Sequence, residues 1–446
     1  MSELLDLARG VRDHAVAGEE VEVVVGRSTS TSVKVYGGEV ESLTSADNSG
    51  AGIRVLRDGR QGFAHCGSLE PEVLLETLAD ARDNCAFGEP DEFNGLARPD
   101  GVVPIPQDSW SESVVGFAGA DKVAMALDLE RRVLGIDPRV TGARTTTYGD
   151  GWGHTAIAST AGIEVEDRGA SCSVSTQPLA RDGDETQIGW AYDTTRDPAL
   201  LDLDEVARDA VERATRLLGA TKPPSGRRTI LLEPRLALTL LGIVAGMLSG
   251  EALIKGRTPF ADRVGETIAS PLLTLVDDPT RSESIAAESV DGEGLACRPN
   301  PLVAAGVLQG FLHNAYTARR AGTASTGSAV RGTRSLPGVG AQLLVMEPGT
   351  RPFDELVASI DDGLYVAGFA GLHSGVNPVS GDFSVGADGL LIRDGALAEP
   401  VRELTIASTL QRLLLDIREV GGDFEWLPGG DGACSLVIED VAVSGS

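Results

Sequence analysis

RTILLEPRLALTLLGIVAGMLSGEALIKGRTPF, residues 228–260, is the stretch on which the fold prediction rests. A β-branched and aliphatic run, Thr229–Leu232, ends at Glu233-Pro234, and an apolar segment, Leu236–Leu248, ends at Ser249-Gly250. This order predicts a buried strand that leads into a core helix. The second half of the chain is therefore expected to be built around this helix.

The residues that follow the helix resemble a known family. They include Gly256, Phe260, Val264-Gly265-Glu266 and the pair Asp277-Asp278. From these residues the chain resembles the TldD/PmbA (TldE) family of metallopeptidases. In the catalytic branch of that family the helix carries His-Glu-x-x-x-His, whose imidazoles bind zinc and whose glutamate activates water.

The zinc-binding residues of the catalytic branch are absent from this chain. When the register is set from the downstream Gly and Phe, their places fall on Leu241, Gly242 and Gly246. Leucine and glycine side chains supply neither a lone pair for a metal nor a proton acceptor. The resemblance therefore implies the PmbA/TldE branch, a partner subunit in which we expect no catalytic residue and no metal.

Cysteine and histidine provide no alternative metal site in the sequence. The resemblance places Cys434 near the cysteine that completes the metal site in the catalytic branch, but it has no imidazole pair to join, and we expect a half-buried strand residue. None of the five histidines lies three to five residues from another, which excludes a local zinc-binding helix. His373, in GFAGLHSGVNPVSGDF, is either a peptide contact or part of an ordinary loop.

A group of acidic residues allows two interpretations. Asp277-Asp278, Asp291 and Glu293 could form a Mg²⁺ or Ca²⁺ cluster, or a carboxylate pair for acid–base work. Neighbouring acids on a strand point to opposite faces, and no calcium-loop spacing is present. The resemblance places them in structural hairpins, and we favour that interpretation.

Length and composition limit the class of protein. A chain of 446 residues is expected to form two domains, which we place at 1–221 and 222–446 because Lys222–Gly226 (KPPSG) reads as a linker. The net charge of −28 argues against nucleic acid and membrane partners. Five scattered cysteines, with no signal peptide and no membrane-length apolar run, favour a cytoplasmic protein.

The predicted fold class is α+β. The N-terminal domain is expected to contain an antiparallel sheet with helices, with turns at Gly37-Gly38, Asp58-Gly59, Asp150-Gly151 and Ala161-Gly162. The C-terminal domain is expected to be mostly antiparallel β around the core helix, with further helices over Phe353–Gly363 and Leu410–Val420.

The expected function is that of a TldE/PmbA-like subunit of a heteromeric zinc metallopeptidase. The resemblance implies a TldD-like catalytic partner that holds the zinc, with unfolded or modified peptides as substrates. The isolated chain is expected to be inactive and could form a homodimer. Two alternatives stay open, namely a self-sufficient amide hydrolase or biosynthetic enzyme using a site such as Cys434 or His373, and a non-enzymatic peptide-binding protein.

Overall fold

The computed structural model describes residues 3–445 and has the predicted α+β architecture. The elements of the first half are, in order, α1 (Glu3–Arg12), β1 (Glu20–Tyr36), β2 (Glu39–Arg57), β3 (Arg60–Cys66), α2 (Pro71–Phe87), α3 (Glu112–Val115), α4 (Gly119–Ile136), β4 (Val140–Ser159), β5 (Glu164–Asp182), β6 (Glu185–Ile188), β7 (Ala191–Thr195), a 3-10 turn (Pro198–Leu200) and α5 (Leu203–Thr215).

These strands form one antiparallel sheet in the order β3-β2-β1-β4-β5-β6, with β7 also paired to β5. The predicted turns at Gly37-Gly38 and Asp58-Gly59 join β1 to β2 and β2 to β3, and all four residues have positive φ angles. Such angles match the twist of a two-residue hairpin. The predicted turn at Ala161-Gly162 joins β4 to β5.

The predicted turn at Asp150-Gly151 is wrong. Both residues lie in the middle of β4, where Asp150 is opposite Thr31 of β1 and Cys172 of β5. Pairing on both sides of β4 outweighs the local turn preference of the Asp-Gly dipeptide, because strand propensity depends strongly on neighbouring strands.

The helices of the first half cover one face of this sheet. Helices α1 and α2 pack on β1 and β2, around Val23 and Ile53, while α4 and α5 pack around Tyr148 and Val174 of β4 and β5. The opposite face contacts the second half of the chain, where Val24 belongs to a cluster with Leu295 and Ala315. The sheet is therefore covered on both sides around Val23 and Val24, whereas residues 39–49 of β2 are largely exposed.

The elements of the second half are, in order, β8 (Gly226–Leu232), α6 (Pro234–Met247), α7 (Gly250–Ile254), β9 (Leu275–Asp277), β10 (Asn300–Ala304), β11 (Val307–Leu308), α8 (Ala315–Ala321), β12 (Ala329–Val330), β13 (Gly338–Val339), β14 (Leu344–Met346), α9 (Phe353–Ala358), β15 (Asp362–Ala370), α10 (Leu372–Gly375), β16 (Val376–Asn377), β17 (Asp382–Arg393), β18 (Ala396–Thr409), α11 (Leu410–Leu415), β19 (Ile417–Val420), β20 (Glu425–Trp426), β21 (Gly432–Ala433) and β22 (Leu436–Ser444).

Two larger sheets organise this half. One has the order β11-β10-β9-β14-β21-β20, and the other β15-β8-β22-β18-β17-β16, with β19 paired to β22. Because β15 pairs with both β8 and β17, the strands β15, β8, β22, β18 and β17 close into a ring. Two pairs of strands, β15 with β8 and β14 with β21, are parallel, and the other pairs between the strands of this half are antiparallel. The predicted mostly antiparallel arrangement is therefore confirmed.

Two helices predicted in this half are shorter than expected. The helix over Leu410–Val420 ends at Leu415, because Ile417–Val420 pairs with β22 as β19. The helix over Phe353–Gly363 ends at Ala358, and β15 begins at Asp362. In both places strand pairing replaces the last helical turns.

The core helix is present as α6, directly after β8 as predicted. It belongs to the largest buried cluster, which also includes residues of β8, β17, β18 and β22. Within residues 3–445, no helix has both the length and the apolar character needed to span a membrane. The division into domains at 221/222 stays a prediction.

A buried ionic network joins the two halves of the chain. Glu22 of β1 pairs with Arg54 of β2 at 3.0 Å and also with Arg331, while Glu293 lies 3.6 Å from Arg54. All four side chains are 4% exposed or less. Burial opposes ionisation of Glu22, but the two guanidinium groups outweigh it and hold its pKa below the usual value.

Candidate functional site

Helix α6 has one face in the core and one face outside it. The inner face contributes aliphatic residues to the largest core cluster, among them Leu236, Leu240, Leu241 and Val244. The outer face is partly or fully exposed along the line Arg235, Thr239, Gly242, Gly246. Because these residues are spaced by four, three and four positions, they lie above one another along the helix.

The three positions that the resemblance assigns to zinc ligands and the general base divide between these two faces. Leu241 is fully buried on the inner face. Gly242 and Gly246 lie on the outer face, and a Cβ atom at either position would have no heavy atom within 4 Å beyond its own helix. None of the three residues can coordinate a metal ion or accept a proton through its side chain.

Cys434 lies close to this helix, in the same buried cluster as Leu241. It is fully buried between β21 and β22, so the expectation of a half-buried strand residue is wrong. Its Sγ atom lies 4.0 Å from the carbonyl oxygen of Met346, and burial raises the pKa of the thiol to about 12. The thiol is therefore protonated at neutral pH, whereas the thiolate is the form that binds metals.

The zinc ion that the resemblance implies for the catalytic branch does not fit these residues. Within residues 3–445, no group of three or more His, Cys, Asp and Glu side chains is arranged to hold a metal ion. Protein-bound catalytic zinc requires about three side-chain ligands. Around α6 the structure instead offers an aliphatic side chain, two glycines and a protonated thiol.

A groove of about 490 Å³ runs along the outer face of α6. Gly242 and Gly246 lie on the helix side of this groove, and Pro378 and Val379 belong to its lining from the loop after β16. Residues of α7 and of the segment after it complete the lining, including Glu251, Lys255 and Arg257. Because the two glycines have no side chains, a peptide backbone can approach the helix closely there.

The loop that contributes Pro378 and Val379 also follows His373. His373 lies in the short helix α10 and is exposed, but it is not part of the groove lining. The structure therefore places the loop beside α6 and leaves the imidazole itself on the surface. Contact of His373 with a peptide stays a prediction.

The acidic residues singled out from the sequence bond to the protein backbone. Asp277 accepts the N–H groups of Gln342 and Leu343 at 2.8 and 2.9 Å, and burial raises its pKa to about 6. Asp291 accepts three further backbone N–H groups. Glu293 accepts the N–H of Ala315 at the start of α8, at 2.8 Å. These contacts agree with the structural interpretation.

Asp278 is also buried, and its carboxylate contacts the turn that follows β9. It accepts a hydrogen bond from the Thr280 backbone N–H at 3.1 Å and forms an ion pair with Arg281 at 2.9 Å. Its carboxylate therefore fixes the turn after β9 and is already occupied by local donors.

Sequence reasoning missed the residue that anchors α6. Glu233 precedes the helix, is 5% exposed, and lies within 3.0 Å of guanidinium nitrogens of Arg213 and Arg235. Its other oxygen accepts the Tyr365 hydroxyl at 2.8 Å, and Arg216 lies 3.7 Å away. Burial opposes the charge on Glu233, but the arginines outweigh it and lower its pKa.

A signal for this anchor was present in the sequence. Arg213 near the end of α5 and Arg216 directly after it are three residues apart, and Glu233-Pro234 is a typical helix start. What the sequence does not contain is the distance between α5 and α6, because that depends on how the two halves of the chain pack.

The fold is an α+β architecture in which α6 packs in the core of the second half and presents a groove on its outer face. Successive parts of the chain match the models of PmbA/TldA metallopeptidase domain 1 (residues 21–85), the central domain (118–218) and the C-terminal domain (225–445). The chain belongs to the PmbA/TldD metallopeptidase family.

Relatives in this family match over almost their whole length. A "Metalloprotease" of Methanothermobacter thermautotrophicus is 28% identical, with 96% of each chain covered. "Metalloprotease PmbA" of Escherichia coli O157:H7 is 26% identical, with 95% of this chain and 91% of the relative covered. The crystal structure of TldE from Thermococcus kodakarensis is similar with a TM-score of 0.89 at 26% identity, covering 99% of both chains.

Proposed function

We propose that this chain is the non-metal-binding, TldE-type subunit of a heteromeric zinc metallopeptidase. The observation that supports this is the set Leu241, Gly242 and Gly246, which offers no ligand and no general base on a helix that otherwise keeps its place in the fold. A TldD-like catalytic partner supplies the zinc and the base. Unfolded or modified peptides are the substrates.

The groove along α6 supports a role in holding the peptide. Its glycine floor leaves space for an extended main chain, and its apolar wall at Val379, which is 48% exposed, can cover a side chain. Recognition through the main chain is suited to substrates without a fixed sequence.

Metal analysis and peptide cleavage test the proposal together. The purified chain should contain no stoichiometric zinc and should not cleave an unfolded peptide alone. Mixing it with a TldD-like subunit should produce cleavage that a chelator abolishes. One tightly bound zinc per isolated chain, or cleavage by the isolated chain, would refute the proposal.

A substitution in the groove tests peptide binding while leaving the fold of the subunit intact. Gly246→Leu places a side chain in the open groove without a clash, because no heavy atom outside the helix lies within 4 Å of the new Cβ. The mixture containing this variant should require several-fold more peptide for half-maximal cleavage. Gly135→Leu, an exposed glycine with similar free space on α4, is the control and should behave as the unmodified chain.

The alternative of a self-sufficient hydrolase is tested on the isolated chain. This alternative predicts that the isolated chain cleaves peptides and that Cys434→Ala or His373→Ala abolishes the cleavage. The burial and raised pKa of Cys434 disfavour it as a nucleophile, because the reactive form is the thiolate.

A further inference from the structure

A second cavity, of about 510 Å³, lies where the two halves of the chain meet. The first half contributes β7 with its flanking residues and part of α5, and the second half contributes Arg235 of α6, Glu283, Ile285 and residues 425–428. None of the functional residues predicted from the sequence lines this cavity.

Aromatic rings form much of its wall. Trp190 and Tyr192 are half-buried neighbours with ring centroids 4.6 Å apart. Trp426 belongs to the lining from the second half and rests edge-on against Phe424 at 5.0 Å. Faces of such rings attract cations, and their apolar area covers the aliphatic part of a long side chain.

The arginines that line the cavity already have protein acceptors. Arg213 pairs with Asp209 at 2.7 Å and with Glu233 at 2.8 Å. Arg235 pairs with Glu233 at 3.0 Å, and Arg196 donates to the Ser284 carbonyl oxygen at 2.9 Å. Two of these arginines therefore face carboxylates, whereas Arg196 has a neutral carbonyl oxygen as its acceptor.

The carboxylate of Glu425 differs from these arginines in its contacts. Among the described residues, its side chain has no hydrogen bond and no ion pair, although it lines the cavity. Desolvation by the surrounding protein and repulsion from Glu233 raise the pKa of Glu425 to about 7, although the positive charge of Arg213 acts to lower it. Asp209 and Asp423 add further repulsion, and Tyr192 faces the same carboxyl group.

Helix α6 contributes residues to both the cavity and the groove. Arg235 lines the cavity and stands at the start of the exposed line that continues through Thr239 to Gly242 and Gly246. At a rise of about 1.5 Å per residue, Gly242 lies roughly 10 Å along the helix from Arg235. About three residues of an extended peptide cover that distance.

We propose that this cavity binds the cationic side chain of an arginine or lysine in a peptide, with Glu425 as the counter-ion and the rings of Trp190, Tyr192 and Trp426 around the aliphatic stem. The choice of a peptide as ligand rests on the proposed function, whereas the preference for a cation rests on the cavity alone. The net charge of −28 favours approach of basic peptides.

Calorimetric titration of the full isolated chain tests this proposal. With all peptides acetylated and amidated at their ends, Gly-Arg-Gly should bind, and Gly-citrulline-Gly, which has a similar shape without the side-chain charge, should bind about tenfold more weakly or not at all. Gly-Lys-Gly against Gly-norleucine-Gly tests the ammonium group in the same way. Because a cation displaces the proton of Glu425, affinity for Gly-Arg-Gly should rise between pH 6 and pH 8.

Glu425→Gln provides the residue-specific test. It should remove most of the preference for Gly-Arg-Gly over the citrulline peptide and flatten the pH dependence, with the fold checked by circular dichroism. Glu76→Gln, an exposed acid on α2 outside the cavity, should keep both properties. Equal affinity for the charged and neutral peptides, no binding of either, or an unchanged pH dependence in Glu425→Gln would overturn the proposal. None of these results depends on a catalytic partner, so failure here is distinct from failure of the mixing experiment.

Discussion

The side chain of Leu241 is fully buried and packs in the core cluster that also contains Cys434. In the catalytic branch this position is expected to hold a zinc ligand, so an apolar contact stands where a metal–ligand bond would be. Because its side chain packs in the core, Leu241 stabilises the fold. Its contribution can be measured without any assay of activity.

Leu241→Ala should lower the free energy of unfolding by about 2–5 kcal/mol, because it removes buried methyl groups and leaves a cavity. Guanidinium titration followed by circular dichroism measures the change. Leu134→Ala, on α4 with the leucine 40% exposed, is the matched control and should cost much less. Equal effects of the two substitutions would contradict the assignment of Leu241 to the core.

Cys434 should resist alkylation in the folded chain. Its thiol is fully buried, and burial raises its pKa to about 12, so almost no thiolate exists at pH 8. Iodoacetamide labelling followed by mass spectrometry should modify Cys66, which is partly exposed, well before Cys434. Labelling of Cys434 in the native chain at a rate similar to that of Cys66 would show that the thiol is accessible.

The residue types at the positions that the resemblance assigns to the zinc ligands could be predicted from the sequence, but their surroundings could not. The absence of ligands at Leu241, Gly242 and Gly246 follows from the register alone. The full burial of Cys434 depends on contacts between segments far apart in the chain, and so does the position of Glu425, whose carboxylate has no partner among residues 3–445. No local pattern in the sequence marks them.

At the scale of secondary-structure elements, α6 depends on Glu233 for its position. The carboxylate connects the start of α6 to Arg213 of α5, to Arg216 directly after α5 and to Tyr365 of β15. Removing one member of such a buried pair leaves the remaining charges without compensation.

Glu233→Gln should lower the free energy of unfolding by about 3–5 kcal/mol at pH 7. The pKa of Glu233 is lowered in the folded chain, so its stabilising effect is present above the ordinary glutamate pKa of about 4.3 and is lost as the pH falls through the folded value. The difference between the two proteins in urea titrations should therefore shrink below that pH. Glu439→Gln removes an exposed ion pair with Arg418 and should cost at most about 1 kcal/mol.

Elements with their own local signals were predicted well. The hairpins at Gly37-Gly38 and Asp58-Gly59 carry the residues that positive φ angles require, and β8 and α6 have clear apolar patterns. The errors at Asp150-Gly151 and at β19 occur where a partner strand decides the conformation. Pairing over long sequence distances is what a single sequence does not display.

At the scale of the whole molecule, the network of Glu22, Arg54, Glu293 and Arg331 connects the N-terminal sheet to the second half of the chain. The segment around Arg331 also packs closely on the sheet, since a Cβ at Gly52 would lie 2.4 Å from the carbonyl oxygen of Thr333. Only a glycine allows that approach. We infer that this contact helps the two halves to unfold together.

Arg331→Met should separate the stabilities of the two halves. It preserves much of the side-chain volume but leaves Glu22 with a single guanidinium partner in a site that is 1% exposed, at an expected cost of about 3–5 kcal/mol. Differential scanning calorimetry should show one transition for the unmodified chain and a lower, broader or divided transition for the variant. Arg334→Met changes an exposed arginine in the same loop and should stay within about 0.5 kcal/mol of the unmodified chain. If both variants unfolded like the unmodified chain, the ionic network would not be what couples the two halves, and the packing of Thr333 on Gly52 would be the remaining contact to test.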